Sequence, residues 1–252
     1  MNGVVLLAAP NARAQYYAQA MAAAGLNLRG AVLMGAAERH AAGLAAGAPA
    51  WPDAPVFLAD LRIPLATTCA QIAKQVVPAP TPSVNAPEVV SALRSLDPAL
   101  VVYAGFGGQI VGQEVLGLGV PLLHLHAGRL PEYRGSTTVY YSILRERACA
   151  VSAILLSSGI DMGAIVARRG YPAPLPGVDV DHCYDNAIRA DLLVRCLAGW
   201  QQTGRFDAQD QAPGEGRTYY IIHPILKRVA LDSLRGDLSG ARVDEGREHE
   251  GR

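Results

Sequence analysis

Two histidines one residue apart, His124 and His126, sit in the stretch "PLLHLHAGRLPEYRGSTTVYY", where an apolar run gives way to a loop bearing Pro, Tyr, Arg and Gly. In a strand, alternate side chains face the same side, so the two imidazoles project together. They also stand near the strand end where an α/β sheet usually places its ligands. His-x-His on a strand can offer two nitrogens to one metal ion, but it needs a third ligand. Asp161, His182 and His223 are the downstream candidates, and none lies at a tight ligand spacing. A second chemistry uses Asp161 differently. It stands in "SSGIDMGAIV" between two apolar runs, flanked by Gly159 and Gly163, which allow backbone to come close to a ligand. A carboxylate beside an imidazole orients it and stabilises its protonated form, keeping it ready to move a proton near neutral pH. The plain alternatives are two packing histidines and an ordinary turn aspartate.

The elements that must position these groups follow an α/β pattern. Val4 to Ala8 is a compact apolar run, "ARAQYYAQAMAAAG" has helical composition and ends at Gly25, and "NLRGAVLMG" supplies a second apolar run. Strand, helix, strand in this order opens a unit with a parallel sheet. Residues 36–56, rich in Ala, Gly and Pro, read as a loop, and "VVPAPTPSVNAP" as a turn-rich connection before the helix "PEVVSALRSL". Then come the strand "ALVVYAG", a short helix in "QIVGQEVLGLG", the histidine strand, the helix "TTVYYSILRER", and two strands, "ACAVSAILLSSG" and "AIVARRGYP". A long helical pattern from Asp181 to Gly204 closes this unit. The division expected is a catalytic domain over 1–204 and a short extension over 205–252 with a frayed polar tail.

Composition narrows the functional classes. Half of the 252 residues are apolar and 17% are charged, which suits a globular chain with a sizeable core. A formal net charge of zero and scattered Lys and Arg argue against capture of nucleic acid or an anionic membrane. The opening "VVLLAA" is too short to span a bilayer. Cys69, Cys149, Cys183 and Cys196 form no CxxC pair and read as buried thiols of a reducing, cytoplasmic compartment.

"HLHAGRLPEYRG" followed by "GIDMG" resembles the folate-dependent formyltransferases, which include methionyl-tRNA, glycinamide ribonucleotide and sugar N-formyltransferases. The family signature is Asn-x-His, a Leu-Pro-x-aromatic-x-Gly loop, then Asp-x-Gly. His126 matches the family histidine; Leu130, Pro131, Tyr133 and Gly135 match the loop, and Asp161 and Gly163 the last element. "VVYAGFGGQI" is similar to the family strand and loop that help to hold the folate. The resemblance implies a Rossmann-like domain that takes a formyl group from 10-formyltetrahydrofolate to an amine, without a metal or a covalent acyl-enzyme. It implies that His126 serves proton movement with Asp161 as its electrostatic partner. It places the pterin against Phe106, Gly107, Gly108, Gln109 and Ile110 on one loop and Leu156, Ser157, Ser158, Gly159 and Ile160 on another.

One position departs: the family asparagine is His124 here. An imidazole N–H can also donate to an oxyanion, yet it differs in size and can carry charge, and a charged His124 would lower the pKa of both rings. Three outcomes follow: a formyltransferase with altered pH dependence, a relative with other acyl chemistry, or a folate or ligand binder with little activity. The family's tRNA enzyme carries a C-terminal barrel and its purine enzyme a Gly-rich phosphate loop after the first strand. About fifty residues follow Gly204 here, and "AAPNARAQ" has no glycine, so the expected acceptor is a small-molecule amine: an amino sugar, an amino acid or a carrier-bound group. Arg134 is expected either to hold an anionic acceptor or to pair with Glu132. Tyr133 and Tyr140 are candidates to line the acceptor side, with one of Tyr140 and Tyr141 in the core. Tyr219, Tyr220 and His223 read as packing residues or a dimer contact, and His182 and His40 as surface residues.

Overall fold

The computed structural model describes residues 3–35, 51, 53–212 and 214–235. His40, most of the loop 36–56 and the polar tail lie outside them. A 7-stranded sheet forms the centre, in the order β3-β2-β1-β4-β5-β7-β8. Its members are β1 (Val4–Ala8), β2 (Gly30–Met34), β3 (Val76–Ala79), β4 (Leu100–Ala104), β5 (Leu122–His126), β7 (Ala148–Leu155) and β8 (Ile165–Pro172). β3, β2, β1, β4 and β5 run parallel, and β7 and β8 are added antiparallel. The fold is therefore the expected Rossmann-like α/β sheet flanked by helices.

Strand alternation divides the core in two. Val4, Leu6 and Ala8 face one layer with Leu123 and Leu125, where α1 (Ala12–Ala23), α2 (Leu65–Ile72), α5 (Thr138–Glu146) and α6 (Asp185–Thr203) pack. Val5, Leu7, Tyr103 and Leu122 face the other, under α3 (Pro87–Leu96) and α4 (Gln113–Leu116). β1 is buried along its whole length, as a strand covered on both faces must be. Asn11 caps α1 by accepting from the Ala14 N–H at 2.9 Å, and the helix buries Tyr16, Tyr17 and Met21 against α6.

The structure adds elements that composition concealed. The connection "VVPAPTPSVNAP" begins as an edge strand, β3, where the absent N–H of Pro78 is tolerated. Trp51, within the stretch read as a loop, is buried and packs on Tyr184 with ring centroids 5.2 Å apart. The helix expected from Asp181 begins as a π-helical turn (Val180–Tyr184). Most relevant to the site, β6 (Tyr133–Gly135) pairs with β9 (Arg217–Tyr219), and α7 (Pro224–Ser233) packs on α5. The segment after residue 205 thus folds back onto the motif loop. No helix among the described residues is long and apolar enough to cross a membrane.

Candidate active site

β1 lies between β2 and β4, so chain connections leave in opposite directions on either side of it. This is the switch point at which open α/β sheets open a crevice. The loops after β1, β4 and β5 leave from that edge, whereas antiparallel β7 ends beside Leu123 at the start of β5, and its loop returns to the histidines. His124 and His126 are on one side of β5, and the loop after β7 brings Asp161 to them. His126 Nδ1 stands 3.3 Å from Asp161 Oδ2. On its other edge, His126 Nε2 lies 2.5 Å from the backbone oxygen of Tyr133. A carbonyl and a carboxylate can only accept, so Nε2 carries a proton toward Tyr133, and the contact at Nδ1 becomes a hydrogen bond when that nitrogen is protonated as well.

Each group is held by backbone geometry. Asp161 sits at φ 51°, and its Oδ2 accepts from the Gly135 N–H at 2.8 Å. Gly163 is required, since a Cβ there would come within 1.7 Å of the Leu155 carbonyl oxygen. Gln211 donates to the carbonyls of Asp161 and Gly163, both at 2.8 Å, and ties the loop to the segment before β9. Ser152 on β7 pins the motif loop by donating to Gly128 at 2.7 Å and accepting from Leu130 at 3.0 Å. Gly128 faces the imidazole so closely that a Cβ would lie 2.8 Å from His126 Nε2.

Burial and neighbouring charges lower the basicity of both rings. Burial holds His126 below the usual histidine range, and the opposing pull of Asp161 does not overcome it. Asp161 favours the protonated ring, as expected, and burial works against it. His124 is lowered well below that range, first by burial, then by the guanidinium groups of Arg13 and Arg189 and by His126. Its Nδ1 is buried and has no hydrogen-bond partner among the described residues. The backbone of Tyr103 acts the other way, favouring a ring N–H on His124.

Phe106 and Leu156, one on each proposed folate loop, pack on the same apolar cluster. Gln109 fastens its loop by accepting from the Val84 N–H at 3.1 Å and donating to the Pro82 carbonyl at 2.5 Å. Gly107, Gly108, Ile110, Ser157, Ser158 and Ile160 are exposed, and Gly159 is half-buried. A cavity of about 410 Å³ is bounded by Pro10 to Arg13, Gly107 and the start of α6; the 156–160 loop does not line it.

Three side chains named for the acceptor are placed otherwise. Arg134 is buried, with its guanidinium on Gln211 Oε1 (2.8 Å) and the Glu215 carbonyl rather than on Glu132 or in the cavity. Tyr133 turns its ring onto Tyr219 and its hydroxyl to Glu146 at 2.5 Å; only its carbonyl reaches the site. Tyr140 is the core member of its pair, 2% exposed, and donates to Asp181 at 2.6 Å, while Tyr141 is half-buried. Tyr219 packs as expected, Tyr220 is exposed, and His223 caps α7. His182 is on the surface, 2.9 Å from Asp179. Sequence reasoning missed Gln211, Ser152 and Arg13, which carry no motif.

No family model matches the chain. Its sequence is 32% identical over 153 residues to the methionyl-tRNA formyltransferase of Trichlorobacter lovleyi, an alignment covering 58% of this chain and 46% of that enzyme. The chain thus spans less than half the length of that relative. Its fold is similar to that of phosphoribosylglycinamide formyltransferase from Anaplasma phagocytophilum (TM-score 0.57, 13% identity, 86% of this chain and 97% of that one). It is also similar to HypX from Aquifex aeolicus, solved in complex with tetrahydrofolic acid (TM-score 0.55, 16% identity, 94% of this chain and 34% of that one). The chain is related in sequence to formyltransferases and carries their fold.

Proposed function

We propose that this protein transfers a formyl group from 10-formyltetrahydrofolate to the amine of a small molecule in specialised biosynthesis, with residues 1–204 carrying the chemistry. The observation that carries the reading is the contact of His126 with Asp161, on the motif positions that match the formyltransferases. The acceptor nitrogen attacks the formyl carbon, forming a C–N bond. Its proton passes to the free Nδ1 of His126, and the imidazolium is held between the Tyr133 carbonyl and the Asp161 carboxylate. His124 donates a ring N–H to the oxyanion, the task of the family asparagine. Collapse breaks the bond to the folate nitrogen, which takes the proton from His126. The loops 106–110 and 156–160 receive the pterin.

A second reading has one observation in its favour: ligand atoms of His124, His126 and Asp161 all lie within 4.8 Å of one another. The nearby Arg13 and Arg189 oppose a dication at that place. A third is that of a folate binder with little activity.

The test mixes purified protein with 10-formyltetrahydrofolate and a panel of small amines and follows tetrahydrofolate release. Amine-dependent release supports transfer. No release with any amine, with no binding of a folate analogue, overturns it, and stoichiometric zinc or iron in active protein would favour the metal reading.

A further inference from the structure

Resting on the formyl-transfer reading, we infer that the acceptor amine also carries a carboxylate, which is bound by Arg13 at the cavity between the β1–α1 loop and α6. Arg13 lines that cavity together with Asn11, Asn186 and Arg189. The two arginines differ in what already occupies them. Arg189 is held by Asp185 at 3.0 Å and donates to the Leu125 carbonyl, so its charge is matched. Arg13 makes no ion pair among the described residues, and its printed hydrogen bond is a long one, 3.4 Å to the Gly105 carbonyl. Burial and the neighbouring Arg189 both disfavour its charged form. Two carboxylates line the same cavity, Asp185 and Asp181. Asp185, which supports the Arg13 charge, is held by Arg189, and Asp181 by Lys227 and Tyr140. The Arg13 guanidinium touches neither and is complementary to an anion supplied from outside.

Neighbouring atoms point the same way. His124 Nδ1 and the Tyr103 hydroxyl are buried without a partner among the described residues. Tyr103 lies over Gly105, the residue Arg13 touches, and His124 feels the Arg13 charge directly. The cavity thus holds an unmatched cation close enough to His124 to act on its charge, beside the reacting centre. A carboxylate fits better than a phosphate. One charge is uncompensated, and the planar guanidinium matches a carboxylate through two parallel bonds. Asn11 and Asn186 each give one amide N–H to a carbonyl, of Gly105 and of Asp181, and keep the other to donate to a ligand oxygen.

The test compares glycine, β-alanine and 4-aminobutanoate with their carboxamides and with 2-aminoethyl phosphate, in wild-type protein, Arg13→Gln and Arg13→Lys. The best amino acid should exceed its carboxamide in kcat/KM by about tenfold or more. Arg13→Gln should bring that ratio to about one through the acceptor KM, with the folate KM unchanged, and Arg13→Lys should restore part of it. Calorimetry of the same amino acids without folate separates this inference from the one beneath it. Arg13-dependent binding without formyl transfer sinks the transfer reading and keeps the carboxylate subsite. Transfer with a ratio untouched by Arg13→Gln does the opposite. A rise in folate KM alone assigns Arg13 to the folate's own glutamate and overturns the inference, as does a preference for the phosphate probe. Amino acids that neither bind nor react also overturn it, and unchanged melting of Arg13→Gln shows that the variant is folded.

Discussion

His126 Nδ1 faces Asp161 Oδ2 at 3.3 Å while the opposite nitrogen of the ring, Nε2, is fixed at 2.5 Å on the Tyr133 carbonyl. One edge of the imidazole is thereby committed to the backbone, and the other can exchange a proton beside a carboxylate. Asp161→Asn keeps an oxygen for the Gly135 N–H but removes the charge that compensates the imidazolium. Formyl transfer should fall about 10²- to 10⁴-fold in kcat, with melting changed little. A variant within threefold of wild type would show that the carboxylate is only a turn residue.

The lowered pKa values of His124 and His126 set the direction of two pH effects. For activity, the base is neutral down to a pH below the ordinary histidine value of 6.5, so the acid limb of kcat/KM should lie below it. For stability, the unfolded rings bind protons at about pH 6.5 and the folded ones only at lower pH. The unfolded state then takes up more protons, and stability falls as the pH drops from 6.5 through the folded values. Above that window these groups add no slope. His124→Asn should flatten the loss and leave turnover measurable. Melting curves between pH 8 and 5 decide it, and an unchanged slope would mean that His124 is not held neutral.

Arg134 and Gln211 act as one unit in this structure. The guanidinium holds Gln211 Oε1, and the Gln211 amide in turn holds the carbonyls of Asp161 and Gly163. Gln211→Ala and Arg134→Ala should each lower kcat about tenfold with the acceptor KM unmoved, and the double variant should lose little more than either. Additive losses, or a KM effect confined to Arg134→Ala, would return that arginine to the substrate.

Gly163→Ala tests the loop itself. The new methyl group would meet the Leu155 carbonyl at 1.7 Å, so backbone has to shift and carry Asp161 with it. A loss of about 2–4 kcal/mol in stability is expected from such overpacking, together with most of the activity. Chemical unfolding measures the first and the formyl-transfer assay the second. Wild-type stability would contradict the tight turn.

What was legible in the sequence follows from period and punctuation. Leu122 to His126 alternate, so the two imidazoles could be placed on one side of a strand, and the Gly-flanked Asp161 could be placed in a loop after another. Other features lack a local signal. β6 and β9 are three residues each, too short to show a period, and their pairing joins segments distant in the chain. That pairing buries Arg134 and turns the Tyr133 ring onto Tyr219, an arrangement that the motif loop read by itself does not reveal. β3 was hidden by its proline, acceptable only because the strand is at the sheet edge. The depression of the His126 pKa needs the burial of the ring, a quantity that spacing along the chain does not contain.

The most direct measurement follows the formyl carbon itself, using 10-formyltetrahydrofolate labelled with ¹³C at that position and carbon NMR in the presence of an amine. The account predicts that the signal leaves the folate and reappears as an N-formyl product, that this requires the amine, and that His126→Gln stops it. Label that appears as free formate at the same rate with and without amine, or that moves equally well in His126→Gln, would contradict it.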